Sequence, residues 1–399
     1  MATTSAMPDL ALSLAATSTL LVSLPSLAPE PFDQILENLS GAFPGTTLVV
    51  ATPDVSSSTG VRPGLQVVSY TPAAPIPGSW TLTAADFLNA HELARQHRTT
   101  ATLLLGAEAQ SLDSAGLRAL AAAVLDSGAD LAVPCYSLPP RAGLVNSAIL
   151  YPVSRAIFGA APRFPLAIDL CLSARMSARM ATLAQKFTAV NQADALMWPV
   201  AEAAVAGFTI AQADVGHRTL PQPGAIDLNS LLAQITGSLF ADVDAKAAFW
   251  QRVRMAPAVK LGFAPAEVPG SADDLAPMLD AFRLAYGNLH EIWSLVLPPQ
   301  SLLGLKRLSL MPAETFSMPD TLWARIVYDF LLAYRLRTIN RGHLLGALTP
   351  LYLAWVASHI RLTATGTDPE HHIAALAAAF EADKAYLVSR WRWPDRFNP

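Results

Sequence analysis

Scarcity narrows the field first. Cysteine occurs twice in 399 residues, as Cys135 and Cys171. That is too few for a disulfide framework and too widely spaced for a zinc site, so both read as buried packing residues. Charged residues make up only 15% of the chain and apolar ones 52%, which excludes a disordered or fibrous polymer. The 27 basic side chains are mostly arginine, scattered without runs, and the formal net charge is -4. No positive stripe of the kind that grips nucleic acid or an anionic membrane stands out. The chain lacks a Gly-x-Gly-x-x-Gly run and a Gly-Lys-Ser/Thr loop, and so a dinucleotide fingerprint and a P-loop. It also lacks Gly-x-Ser-x-Gly, the hydrolase elbow.

Long apolar runs are missing too. "LLGALTPLYLAWVASHI" (344–360) carries His359, Gly346 and Pro350 and falls short of the roughly 20 apolar residues of a membrane span. It reads as a buried helix, and no transmembrane segment is expected. The apolar residues from Leu10 to Leu24 follow Asp9 with no Lys or Arg before them, unlike the basic start of a secretory leader. Residues 1–18 read as a flexible tail before a first strand, and the cytoplasm is the default compartment.

What is present is a regular alternation. From residue 20 to about 215, short apolar runs ("TLLVSLP", "TTLVVAT", "LQVVSYT", "ATLLL", "ADLAVPCYS") alternate with helical patterns, the mark of a mainly parallel sheet flanked by helices. In "PFDQILENLSGAF" Phe32, Ile35, Leu36 and Leu39 share one helical face. "DSAGLRALAAAVLDSG" is a helix capped by Asp113 or Ser114 and ended by Gly128. The prolines Pro72, Pro75 and Pro77 mark a loop. After about Asp227 long helical stretches dominate, and a Pro/Gly-containing stretch near residue 255 marks the change. The chain thus divides into an α/β domain over 19–255 and an all-helical C-terminal domain over 256–399.

Chemistry is sought where such sheets hold ligands, outside the carboxyl ends of the strands. "ATLLLGAEAQSLD" (101–113) is one such end, with Glu108 just past the strand. A second is "DVGHRTLP", with His217 after the apolar run "FTIAQADV". Oxygen and imidazole ligands of this kind can hold a hard divalent cation on a diphosphate, although each alone reads more simply as a turn residue. His371 and His372 follow Glu370 at a helix start, where a solvated cap is the plain reading. Trp391 and Trp393 read as C-terminal packing, with a cover over a sugar ring as the sharper alternative.

The order of these pieces, from about Leu21 to about Ser358, resembles the glycosyltransferases of the nucleotide-diphospho-sugar (GT-A) fold, and within them the mannosylglycerate and glucosylglycerate synthase-like group. "LLVSLPS" is similar to the group's first strand and nucleotide-touching turn. "LLLGAEAQSLDSAGL" stands in the place of its metal-binding Asp-x-Asp. "FPLAIDLCLSARM" matches the stretch ending near sugar and acceptor, and "VGHRTLPQPGAIDLNSLLAQITGSLF" the segment with a metal-binding His.

The resemblance implies transfer of a hexose from a nucleotide-diphosphate sugar to a small acceptor such as glycerate, with retention. It implies Mg²⁺ or Mn²⁺ on Glu108 and His217, and the nucleotide sugar on Leu24, Pro25, Ser26 and Glu108. Asp169 and Glu202 would be the catalytic acids, and Asn146 and Arg155 the acceptor contacts. It allows a homodimer. The departures are specific: Gly106 and Glu108 in the Asp-x-Asp columns, "PGSWTLTAADFL" in place of a Gly-Lys-Gly segment, Ala167-Ile168-Asp169 for Gly-Gly-Asp, and "WPVAE" for Trp-Gly-Ile-Asp. They also suggest a weak or inactive member serving as a binding or assembly partner.

Overall fold

The computed structural model describes residues 19–53, 62–72, 80–224, 226–253 and 275–394. The tail over 1–18 and the expected domain boundary between 255 and 256 lie outside these residues, as do Pro75 and Pro77 of the expected loop. In chain order the elements are β1 (Leu20–Ser23), α1 (Pro29–Ala42), β2 (Leu48–Thr52), β3 (Leu65–Ser69), α2 (Ala84–His97), β4 (Ala101–Leu104) and α3 (Ser114–Leu125). There follow β5 (Leu131–Ser137), α4 (Tyr151–Phe158), β6 (Leu170–Ser173), α5 (Ala174–Thr188), α6 (Pro199–Ala206), β7 (Ile210–His217), α7 (Leu228–Ala245) and α8 (Ala247–Trp250). The last five are α9 (Ala276–Val296), α10 (Pro299–Ser309), α11 (Asp320–Leu336), α12 (Arg341–Ala364) and α13 (Pro369–Arg392).

The strands form one sheet in the order β3-β2-β1-β4-β6-β5-β7. Only β6 runs antiparallel to its neighbours, β4 and β5. β1, β2 and β4 are buried along their whole length, as central parallel strands covered on both faces must be, which is why they read as continuous apolar runs. The sequence of connections reverses between β1 and β4, so the carboxyl ends of these two strands flank the crevice where an open sheet of this type takes ligands.

Local chemistry sets the helix starts. Asp113 caps α3 by accepting from Gly116 N at 2.7 Å, and Thr83 and Asp86 form a reciprocal capping box at the head of α2. The stripe Phe32, Ile35, Leu36 and Leu39 of α1 is buried, as its spacing requires.

One apolar cluster runs from Leu82 in the sheet half to Trp391 near the end of the chain. Polar contacts follow the same route. Trp323 Nε1 donates to Ala148 O at 2.8 Å, and Lys384 Nζ to Ile157 O at 3.0 Å. The segment 344–360 is indeed a buried helix within α12, and no helix among the described residues is long and apolar enough to cross a membrane. Cys135 and Cys171 are free and buried. Trp391 packs edge-on against Trp250, ring centroids 4.9 Å apart.

His372 departs from its expected place on a solvated cap. It is buried because the start of α13 lies against α11 and α12. Its Nε2 lies 3.1 Å from Asp320 Oδ1, and its Nδ1 lies 2.7 Å from His359 Nδ1, so one imidazole donates and the other accepts. His359 stacks on Trp355 with ring centroids 5.2 Å apart. Burial, then His372, then Arg163 push its pKa down to about 3. A histidine neutral in the fold but free to protonate when unfolded makes the fold less stable as pH falls below about 6.5. Between about pH 6.5 and pH 5 this residue removes about 2 kcal/mol. His359→Phe, which keeps the stack on Trp355, flattens that fall; urea midpoints at both pH values check it, and an equally steep loss in the variant refutes the assignment.

Candidate functional site

The strand-end site is built on three turns at the carboxyl edge of the sheet. β1 leads into Leu24, whose amide donates to Ala51 O at 2.9 Å. Leu24 is buried, Pro25 half-buried and Ser26 exposed, so this turn rises from the core to the surface. β4 leads into Leu105, whose amide donates to Ser23 O at 3.0 Å, which seats the turn of residues 106–111 beside it. Asp169 immediately precedes β6 and Arg218 immediately follows β7, so both arrive at this edge.

Gly106 is required here. A Cβ at this position would lie 2.8 Å from Ile168 O and 3.2 Å from Ile168 Cγ2. The column where the resemblance places an aspartate therefore has no room for any side chain. Its amide instead donates to Asp169 Oδ1 at 3.0 Å. Two residues on, Glu108 adopts the left-handed conformation at φ 62°, which turns its carbonyl inward. Its carboxylate is half-buried and accepts from Gln110 Nε2 at 2.8 Å.

The centre of the site is the Arg218–Asp169 ion pair, both side chains 0% exposed. Arg218 Nε donates to Asp169 Oδ2 at 2.8 Å and Nη2 to Oδ1 at 3.1 Å. Nη2 also donates to Ala107 O at 2.7 Å. Nη1 reaches Glu108 O, Ser111 Oγ at 3.0 Å and Thr219 O at 2.9 Å. Tyr136 Oη donates to Asp169 Oδ2 at 2.7 Å. A guanidinium has five N–H groups, and this one has an acceptor for each. Both oxygens of Asp169 are likewise taken. Burial works against the charge on Arg218, and Asp169 outweighs it, so the guanidinium is held above its ordinary pKa. Burial, then Asp169, push the Tyr136 phenol well above its usual value.

A carboxylate, three carbonyls and a hydroxyl are the donor set a hard cation would choose. Here they surround an arginine. Of the residues expected to hold Mg²⁺ or Mn²⁺, Glu108 is half-buried at this turn and His217 is exposed at its rim. His217 points to solvent while Arg218 points inward, because Gly216 at φ 68° and an irregular register between β5 and β7 turn the chain there. No group of three or more His, Cys, Asp and Glu among the described residues could hold a metal ion. The residues present thus do not fit a divalent ion at this turn.

The structure gathers Leu24, Pro25, Ser26, Glu108 and Asp169 at one edge, with His217 at its rim. It does not bring the others there. Glu202 is buried in α6, where Arg179 Nε donates to it at 2.7 Å and Lys246 Nζ lies 3.3 Å away. Arg155 makes a two-pronged pair with Glu381, at 2.8 and 3.1 Å. Asn146 is buried and donates to Arg163 O at 2.8 Å. Sequence reasoning missed Arg218 and Tyr136. The available signal was the arginine next to His217, in a stretch chosen for its histidine.

No family model matches the chain, and no curated protein matches it. Among solved structures it is similar to glucosyl-3-phosphoglycerate synthase from Mycobacterium tuberculosis in complex with Mn²⁺, UDP-glucose and phosphoglyceric acid, at 17% identity over 57% of this chain and 80% of that one, with a TM-score of 0.35. It is similar to mannosyl-3-phosphoglycerate synthase from Rubrobacter xylanophilus at 15% identity over 61% and 78%, with a TM-score of 0.38. A CMP:2-keto-3-deoxy-manno-octonic acid synthetase complexed with CTP matches at 12% identity over 52% and 93%, with a TM-score of 0.34.

The buried pair carries a stability prediction. Removing one partner of a buried ion pair leaves an uncompensated charge, so Arg218→Met should cost about 3–5 kcal/mol. Adding Asp169→Asn to that variant should recover part of the loss. Urea denaturation checks both, and a cost below about 1 kcal/mol, the range of exposed pairs, would refute the bracing role.

Proposed function

We propose that the protein is a glycosyltransferase that draws a hexose from a nucleotide-diphosphate sugar and passes it to a small hydroxylated acceptor such as glycerate, without a divalent metal at the β4 turn. The observation that carries this reading is the position of Arg218. It lies buried at the carboxyl edge of the sheet among the β4 turn, the residue that opens β6 and the end of β7, and binds the oxygens a cation would otherwise tie together. The motif resemblance of "LLVSLPS" and "LLLGAEAQSLDSAGL" supplies the substrate class.

In this reading the Leu24–Ser26 turn takes the nucleotide. Asp169, whose oxygens are all engaged, is a positioning residue rather than a base. Glu108, half-buried and served by a single Gln110 bond, is the acid of this turn left to face sugar or acceptor hydroxyls. The charge of Arg218 is matched by Asp169, so the turn adds little positive field toward a leaving diphosphate, and turnover should be slow.

A second reading has its own observation. Asp169, Glu202, Arg155 and Asn146 all have internal partners, which favours a nucleotide-sugar-binding protein without turnover. Transfer and hydrolysis of UDP-glucose and GDP-mannose, measured with Mn²⁺ and with EDTA, separate the readings. The proposal expects product at equal rates in both conditions. Strict Mn²⁺ dependence would overturn the arginine assignment; saturable donor binding with no product would favour the second reading, and neither binding nor product would sink both.

Given activity, Glu108→Gln should lower kcat by about 10²-fold, as loss of a group stabilising the transition state does, with an unfolding midpoint close to the parent's. His217→Ala should leave the rate unchanged. The reverse pattern, a silent Glu108 and an essential His217, would return the metal to the site.

A further inference from the structure

A second constellation has no part in the strand-end site. Helices α10 and α11, with the chain between them, flank a cleft of about 350 Å³. Ser301, Gly304 and Leu308 share one face of α10 and line it, as do Leu322 and Arg325 of α11. The two helices close on one another at Gly304, where a Cβ would lie 3.0 Å from Leu322 Cδ2. Leu308, Met311 and Leu322 make the apolar part of the lining. The polar part carries two guanidinium groups, Arg307 and Arg325, and no carboxylate.

Several donors there are unspent. Ser301 is only 3% exposed, yet its hydroxyl makes no hydrogen bond among the described residues. Nor is that hydroxyl one of the polar atoms sealed from solvent, so its remaining surface is what it gives to the cleft. Arg325 is held in place: Nε and Nη2 donate to Asp383, and the guanidinium lies over the Tyr386 ring, 3.7 Å from its centroid. Its Nη1, with two N–H groups, has no acceptor among the described residues. Arg307 is exposed and forms no ion pair among the described residues. Helix α11 starts after Pro319 without a side-chain cap, so the amides of its first turn and the helix dipole also favour an anion at this end. The acid of that turn, Asp320, is not in the cleft lining and lies 3.1 Å from His372 Nε2.

We infer that this cleft binds a small phosphate monoester, its phosphate taken by Ser301, Arg307 and Arg325 and its organic part laid against Leu308, Met311 and Leu322. The free donors come from both helices, and the three acceptor oxygens of a phosphate use them more fully than the two of a carboxylate. Asp383 already balances Arg325, so Arg307 supplies the net positive charge. The cleft shares no residue with the strand-end turns, and the inference stands apart from the glycosyltransferase reading.

Calorimetric titration of the full chain with phenyl phosphate tests it at about pH 7.5, where a phosphate monoester is mostly dianionic. Benzyl alcohol is the neutral control and phenylacetate the carboxylate one. Saturable binding of phenyl phosphate is expected, roughly tenfold tighter than the alcohol and tighter than phenylacetate. Arg307→Gln should weaken it by roughly tenfold and Ser301→Ala by roughly fivefold. Both variants should keep the parent's unfolding midpoint, since neither side chain has an internal polar partner to lose. The inference is overturned if phenyl phosphate gives no saturable heat, if either control binds as tightly, or if both variants bind it as the parent does.

Discussion

Everything at the carboxyl edge of the sheet depends on one buried charge finding its full set of partners. Arg218 comes in from the end of β7 and bonds to residues from the β4 turn and to the carboxylate that opens β6. A guanidinium in the interior is tolerable only when its charge is paired and its N–H groups are used. Meeting that condition fixes the path of three chain segments at once. Gly106 lies against Ile168, Glu108 takes a left-handed turn to present its carbonyl, and Tyr136 closes the last position on Asp169. The geometry of the crevice follows from satisfying this one group.

The two halves of the chain are tied by the same kind of constraint. Arg155 of α4 meets Glu381 of α13, and Arg163 meets Glu370 at the start of that helix with both nitrogens at 2.9 Å. Where the sheet half presents a buried cation, the helical half supplies the anion. Apolar packing supplies the bulk of the attraction, and these pairs select the orientation in which the helices dock.

What the sequence showed follows the range of the forces involved. The strands, the Asp113 cap, the stripe of α1 and the buried helix over 344–360 are written in local periodicity and local hydrogen bonding, and each was legible. The grouping of the Leu24–Ser26 turn, Glu108 and Asp169 came from the motif resemblance, since strand order is not written in an apolar pattern. Side-chain direction was not legible. Whether His217 or Arg218 faces inward depends on the backbone at Gly216 and on a register shift against β5, neither of which appears in an apolar pattern. Glu202 came from the resemblance and Arg155 from its chemistry, but their partners lie far along the chain, at Lys246 just past α7 and 226 residues on in α13. The burial of His372 likewise required the neighbouring helices to be in place.

Gly106 makes the arrangement a one-way street. An aspartate introduced there would drive its Cβ into the carbonyl of Ile168, and any cation recruited by it would have to displace a guanidinium already bonded on every side. A carboxylate pair at this turn thus needs the backbone at 168 to move as well as changes at 106 and 218. The turn is locked by epistasis: a side chain at 106 has no room while the Ile168 carbonyl stays in place, and a cation has none while Arg218 holds the oxygens.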